Sequence, residues 1–335
     1  MHQTPLAADK LRTWSHLSGR RRKPSEYEVV SVDIHFPNDF NGTDHQLPSI
    51  ARNQPINEYY RRYLYGSPLK HPNWDAFRDP DEVTYRSYNI IQEGQERHVE
   101  ELLDRFNGEG HDNGLSAGWL RALATCYAPG RYLLHTVQMA SAYEVQISPT
   151  STFALCCGFQ SADALRFVSH IAYRTAELAK AHPRFGFGVN EQQLWEDDPR
   201  WQGYRELMEK VLVAFDWGEA FVALNLVAKP AIDEGFVRQL GRASRRNGDI
   251  LLSLMTDSQL KDIARSRNWC RAFVEFLLQD PANRAHIEGW VAKWKPLADR
   301  AMEQFCTSIE GDAEAAREAI EACSKYRESL GFPGL

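Results

Sequence analysis

Between residues 205 and 240 the chain is apolar on every side of a helix rather than along one stripe. Leu207, Val211, Phe215, Gly218, Val222 and Asn225 recur at spacings of three and four, and Leu212, Val213, Trp217, Phe221, Leu224, Leu226 and Val227 fill the positions between them. A helix wetted on one face carries a polar side. This stretch therefore reads as the central helix of a large helical domain, enclosed by its neighbours. Asp216, Glu219 and Asn225 interrupt the run, and a membrane span needs about 20 nearly uninterrupted apolar residues. The stretch belongs inside a protein, not in a bilayer.

The rest of the chain is long enough to wrap such a helix, since 335 residues supply a sizeable core. A formal net charge of −6 removes the overall basic field that nucleic acid would require. Cys126, Cys156, Cys157, Cys270, Cys306 and Cys323 include no CxxC pair and sit in apolar contexts, as reduced core thiols do. Met-His-Gln-Thr-Pro opens the chain with no apolar segment behind it, so a cytoplasmic protein is expected.

Residues 1–80 differ in composition from the remainder of the chain. They hold half of the 16 prolines, which prevent long helices and favour extended chain; one short helical candidate spans residues 57–64, and residues 27–34 are weakly strand-like. Arg20, Arg21, Arg22 and Lys23 form a basic run, which is either a solvated loop cluster or part of an arm lying on another subunit. Trp14, Tyr27, Tyr59, Tyr60, Tyr63 and Trp74 give the same segment the composition of interface anchors.

Residues 81–335 read as a helical domain. Asp79-Pro80, Asp198-Pro199 and Asp280-Pro281 pair a capping residue with proline at the first helical position, and Ser161 is a candidate start for a helix over 161–181. Further helices are expected over 82–106, 117–147 with a break near Pro129, 245–279, 283–307 with a kink at Pro296, and 313–329. There is no βαβ alternation and no internal repeat. The fold class is all-α, a bundle of long helices.

Such bundles house carboxylate-bridged metal pairs built from one Glu on each of two helices and Glu-x-x-His on each of two others. No Asp or Glu in this chain has a His three residues later. His98 and Glu101 give the reverse order on a charged, solvated-looking segment, and His135 and His170 read as hydrogen-bonded core residues. Asp216 and Glu219 are one turn apart, so they form either a catalytic carboxylate pair or, the favoured reading, two ion pairs with arginines among Arg166, Arg174, Arg205, Arg238 and Arg265. Gly114-Leu-Ser-Ala-Gly118 matches a nucleophile elbow, but a loop precedes it where a strand is required, so Ser116 is expected to cap a helix.

Thr13-Trp-Ser-His-Leu17, Pro24-Ser-Glu-Tyr-Glu-Val-Val30, Ser67-Pro-Leu-Lys-His-Pro-Asn-Trp-Asp-Ala-Phe-Arg-Asp-Pro80, Trp201-Gln-Gly-Tyr-Arg-Glu206, Asp216-Trp-Gly-Glu-Ala-Phe221 and Trp290-Val-Ala-Lys-Trp294 closely resemble the hydroxylase beta subunits of the toluene monooxygenases. The resemblance spans essentially the whole chain. It implies a ferritin-like fold within an (αβγ)₂ hydroxylase, with alpha and gamma subunits as partners, a small effector protein and a Rieske-type ferredoxin or reductase as transient ones, and the di-iron centre in alpha, leaving no cofactor in this chain. Trp14, Arg21, Arg22, Tyr27, Trp74, Phe77 and Arg78 are the implied partner contacts.

Against the Asp-Glu-x-Arg-His motif of the alpha chains this sequence has Asp163-Ala-Leu-Arg-Phe167, which puts Ala164 and Phe167 at ligand positions. The second motif aligns with Thr256-Asp-Ser-Gln-Leu-Lys261, putting Ser258 and Lys261 there, and the central-helix ligand falls at Gly218 beside Glu219. The fourth ligand helix, about residues 129–147, has no fixed register and Glu144 as its only acid. The resemblance thus implies a non-catalytic subunit supporting NADH- and O₂-dependent hydroxylation of an aromatic ring of toluene or phenol type. The alternatives are a subunit of an alkene or isoprene epoxidase, a helical scaffold of an unrelated complex, and a self-sufficient metalloenzyme using Asp216 and Glu219.

Overall fold

The computed structural model describes residues 23–32, 55–310 and 313–335. Twelve helices occur in order among them: α1 (Glu26–Ser31), α2 (Pro55–Tyr60, continued by the π-helical Arg61–Tyr65), α3 (Tyr85–Gly108), α4 (Ala117–Ala122, continued by π-helical Leu123–Tyr127), α5 (Gly130–Gln146), α6 (Ser151–Ala181), α7 (Glu191–Asp197) and α8 (Pro199–Val211). The central α9 joins Trp217–Phe221, Lys229–Ala231 and Gln239–Arg246 through π-helical Val222–Ala228 and Ile232–Arg238, and α10 (Ile250–Leu277), α11 (Ala282–Glu310) and α12 (Ala313–Ser329) complete the bundle. No β-strand occurs among the described residues.

The all-round apolar stretch is the most enclosed part of the molecule. From Trp217 to Gly241 only Glu219, Lys229 and Arg238 are not fully buried. It is not one helix over 205–240, however. The chain leaves the helix after Val211, and Asp216 restarts it by accepting from the amides of Gly218 (2.9 Å) and Glu219 (3.0 Å), as an N-capping aspartate does. Pro230 lies between the two π-helical pieces, where its missing amide hydrogen would interrupt an α-helical ladder in any case.

α9 packs between α11 and the paired α5 and α6, with α10 and α12 closing the other sides. Gly203 lets α8 cross α11 at close range, since a Cβ there would lie 2.6 Å from Ala301 Cα. Phe273 on α10 stacks on Phe153 of α6 at 4.4 Å and meets Phe221 of α9 edge-on at 5.0 Å. Burial of each such side chain contributes roughly 1.5–3 kcal/mol, so this three-helix seam is a main source of stability.

Several expected starts move. The helix foreseen over 161–181 begins ten residues earlier at Ser151, and the Ser161 hydroxyl instead donates to the Gln138 carbonyl at 3.1 Å. Asp79 does not cap α3. Its carboxylate accepts from the amides of Asp81 and Val83, while Thr84 caps through a reciprocal pair with Ser87. The strand-like residues 27–34 are helical as far as Ser31, started by a Ser25–Glu28 capping box. The helix over 57–64, the break near Pro129, the caps at Ser116 and Asp198 and the kink proline inside α11 are where the sequence placed them.

Within residues 55–80, Leu64, Leu69, Trp74 and Phe77 are buried in the chain's own core. Trp74 meets Trp217 at 5.2 Å and Phe77 meets Phe273 at 4.8 Å. Tyr27, also expected at an interface, is buried and receives the Asp79 amide on its hydroxyl at 3.1 Å. These three aromatic side chains are covered by this chain itself. Arg78 stays partly exposed and pairs with buried Glu28 at 2.5 Å, whereas Trp14, Arg21 and Arg22 lie outside the described residues.

Candidate functional site

Where α5, α6, α9 and α10 face one another they enclose a cavity of about 20 Å³, room for about one water molecule. Leu134 from α5, Ala164 and Phe167 from α6, Lys229 from α9, and Ile263 and Ser266 from α10 line it. Val137 from α5, Gln160 and Asp163 from α6, Ile232, Asp233 and Val237 from α9, and Asp262 from α10 complete the lining, so apolar side chains, one ammonium and three carboxylates face the same space.

At the cavity wall, α6 and α10 repeat one pattern, Asp163-x-x-Arg166 and Asp262-x-x-Arg265. Their charges cross between the helices. Arg166 reaches Asp262 at 3.1 Å, and Arg265 reaches Asp163 at 2.5 Å while also lying 3.1 Å from Asp262. From α3 the Tyr88 hydroxyl donates to Asp163 (2.9 Å), and the Gln92 amide donates to Asp163 (3.0 Å) and Asp262 (2.8 Å). Burial, with the charge of Asp262 beside it, pushes the Asp163 carboxyl up to about 6 against the pull of Arg265. At the rim, partial burial of Glu96 is outweighed by His170 and Arg166, which hold its carboxyl at about 2. His170 is thus the hydrogen-bonded core histidine the sequence indicates. His135, expected to be like it, is exposed.

A second polar group lies along α5. Both Glu144 oxygens accept from Asn225 Nδ2 at 3.0 Å, and the Cys157 thiol donates to one of them at 3.2 Å. Asn225 in turn accepts from Gln160 at 2.8 Å. Complete burial raises the Glu144 carboxyl to about 8 in spite of these bonds. On α9, Lys229 binds both oxygens of Asp233 at 3.1 and 3.0 Å, and Arg267 lies 3.5 Å from Asp233 and 2.8 Å from Glu234. Because a π turn takes up more residues than an α turn, side chains four apart stack in line, and Asn225, Lys229 and Asp233 share the inner face.

Of the positions aligned with ligands, two line the cavity and three do not. Ala164 and Phe167 line the cavity. Gly218 lies in the first turn of α9, where a Cβ would meet Leu69 at 2.7 Å. Ser258 donates to Gln95 at 3.2 Å, and Lys261 is exposed on the outer face of α10. From α5, α9 and α10 the cavity is reached instead by residues that include Leu134, Lys229, Ile263 and Ser266. The repeat of Asp-x-x-Arg at 163 and 262 is a sequence signal that the two helices face each other.

Asp216 and Glu219 do not converge on the cavity, and neither meets an arginine. Asp216 caps α9 and accepts from the Ser67 hydroxyl at 2.9 Å; Glu219 binds Lys293 at 2.6 Å and the Trp294 indole at 3.0 Å. The arginines are engaged elsewhere: Arg166 and Arg265 in the crossed pairs, Arg174 with Asp112 and Asp249, Arg205 with Glu209, and Arg238 with Glu234. His98 and Glu101 are exposed on α3. Asp216→Ala is expected to cost about 0.5–2 kcal/mol through loss of the cap, read as a lower urea midpoint; an unchanged midpoint would show that the cap carries no weight.

A family model described as Methane/Phenol/Alkene Hydroxylase matches residues 54–281. The chain belongs to this family. It is 48% identical over 320 residues to the toluene-4-monooxygenase system hydroxylase component subunit beta of Ectopseudomonas mendocina, covering 96% of this chain and 97% of that one. A solved structure of toluene 4-monooxygenase with toluene in its resting active site superposes with a TM-score of 0.85 at 48% identity, covering 92% of this chain and 99% of that one. Phenol hydroxylase from Pseudomonas sp. OX1 shares the fold at 17% identity, with a TM-score of 0.80 over 99% of this chain and 97% of that one. The bundle is thus the ferritin-like one that the sequence resemblance implied.

A dinuclear iron centre does not fit the residues that line the cavity. No imidazole lines it, and Lys229 brings an ammonium that would repel a metal cation. The three carboxylates that line it, Asp163, Asp233 and Asp262, are already bound by guanidinium or ammonium groups. Among the described residues no group of three or more His, Cys, Asp or Glu is disposed to hold a metal ion, all six cysteines are free and buried, and no helix is long and apolar enough to cross a membrane.

Proposed function

We propose that this chain is the non-catalytic beta subunit of a cytoplasmic di-iron monooxygenase hydroxylase. Its complex hydroxylates an aromatic hydrocarbon of toluene or phenol type with NADH and O₂, and the metal pair and substrate pocket lie in the alpha subunit. The observation that carries this reading is the lining of the four-helix interior, which has no imidazole, an ammonium at Lys229, and carboxylates at Asp163, Asp233 and Asp262 that are already paired with cations. The beta-subunit relative at 48% identity supports the substrate class.

The work left to such a subunit is assembly. It pairs with alpha and gamma in an (αβγ)₂ complex and helps form the surface where the effector protein and a Rieske-type ferredoxin or reductase dock. Residues 1–80 act as a partner-contacting arm, with Trp14, Arg21, Arg22 and the solvent-facing Arg78 as its contacts, on the helical domain of residues 81–335.

The test compares the chain expressed alone with the chain co-expressed with its alpha and gamma subunits. The expected result is a lone chain without iron or NADH-driven oxygen consumption, and an iron-bearing complex that hydroxylates toluene or phenol. Stoichiometric iron on the lone chain, with oxygen activation, would replace this reading by a self-sufficient metalloenzyme.

A further inference from the structure

We propose that the interior between α5, α6, α9 and α10 is a binding site for one ordered water molecule, held by Gln160, Lys229 and Ser266. The cavity of about 20 Å³ there has a smaller neighbour of about 10 Å³, and Gln160, Lys229, Asp233 and Ser266 line both. Gln160 is 2% exposed, yet its Oε1 accepts no hydrogen bond. Its amide nitrogen is fully used, donating to Ser141 Oγ at 3.1 Å and to Asn225 Oδ1 at 2.8 Å. The amide is not free to turn round, because Asn225 Nδ2 is committed to Glu144 and leaves the Asn225 oxygen toward Gln160. Oε1 is therefore the atom left to face the cavities, and a buried acceptor without a donor is destabilising.

The missing donor stands across the same space. Lys229 directs its ammonium at the two Asp233 oxygens, and an ammonium has three hydrogens, so one is left. A water that accepts from Lys229, donates to Gln160 Oε1 and meets the Ser266 hydroxyl has the two to four polar partners a buried water needs, in a space of the right volume. Charge selects a neutral ligand, since Asp163, Asp233 and Asp262 already have their cations. The smaller cavity lies beside Arg267, whose Nε and Nη2 also lack a hydrogen-bond partner, but its volume is at the lower limit for a water, so the site is the larger one. The water joins the Lys229–Asp233 pair to Gln160, Asn225 and buried Glu144, groups that no direct bond connects. This holds whichever subunit carries iron.

The test is a high-resolution crystal structure of the full chain. The expected result is one solvent peak in the larger cavity, within about 3.2 Å of Gln160 Oε1 and without anomalous signal. Featureless density there, a peak that scatters as a metal ion, or a Gln160 turned so that Oε1 accepts from the protein overturns the proposal. A measurement in solution reads the same site. Ala164 lines the cavity, and Ala164→Val puts two methyl groups into it. Expelling a water strands Gln160 Oε1, so the urea midpoint should fall, and it should fall less in a Gln160→Met background, which has no acceptor to strand. A rise in the otherwise unaltered chain, as for a dry void, overturns the proposal. So does a loss as large in the Gln160→Met background, which is overpacking alone. Where a variant does not fold, diffraction from the unaltered chain decides.

Discussion

Arg265→Met is expected to lower the stability of the fold by roughly 3–5 kcal/mol, the cost of leaving a buried charge without its partner. Arg265 is 2.5 Å from Asp163 and 3.1 Å from Asp262, and its guanidinium lies over the Tyr88 ring. Methionine keeps most of the length and apolar contact of the stem but none of the charge. Asp163, already pushed to about 6 by burial and by Asp262, would rise further. A carboxyl whose folded value lies above its unfolded one contributes stability that is full below the unfolded value and is lost as pH rises through the folded value. The deficit of Arg265→Met should therefore be larger at pH 8 than at pH 5, measured as the shift of the urea midpoint. Adding Asp163→Asn should recover part of it, since the two side chains are coupled. A loss below 1 kcal/mol at both pH values, or no recovery in the double variant, would mean that Arg166 alone balances the two aspartates.

Glu144→Gln is expected to gain on the unaltered chain as pH rises. The Glu144 carboxyl has an ordinary value of 4.5 and is raised by burial to about 8, so its sign is the same as that of Asp163. Its contribution is full below pH 4.5 and falls by about 1.4 kcal/mol per pH unit until pH 8. Over that window the loss amounts to roughly 3–5 kcal/mol. Glutamine matches the shape, still accepts from Asn225, and has no proton to lose. Urea midpoints at pH 5, 6.5 and 8 should show the difference between variant and parent growing in the variant's favour. A difference that stays constant would show that Glu144 does not titrate in this range. Glu144 lies on α5, one of the helices that line the cavity, so this test also reports how dry that interior is.

Much of the architecture was legible in the residues alone. An apolar run without a polar side has only one place to go, and Trp217 to Gly241 is the buried centre of the bundle. Capping at Asp198 and Ser116 was readable because it is a contact between residues two or three apart. The absence of any acid followed by histidine at the third position already argued against a metal pair in this chain. These features depend on near neighbours in sequence, and near neighbours are what a sequence displays.

Everything that depended on which side chains meet across helices needed the tertiary structure. Asp216 and Glu219 were expected to pair with arginines, yet they meet Ser67, Lys293 and Trp294, residues 74 to 149 positions away. Gly218, Ser258 and Lys261 do not reach the cavity that Ala164 and Phe167 line, and the π-helical turns of α9, which no apolar periodicity reveals, alter which of its side chains face inward. Residue order established that the chain is an enclosed helical bundle lacking paired Glu and His ligands, since composition and spacing are local properties. Packing in three dimensions was needed to bring Leu134, Lys229, Ile263 and Ser266 together with Ala164 and Phe167 around one cavity, because the convergence of four helices is set by their contacts and not by distance along the chain.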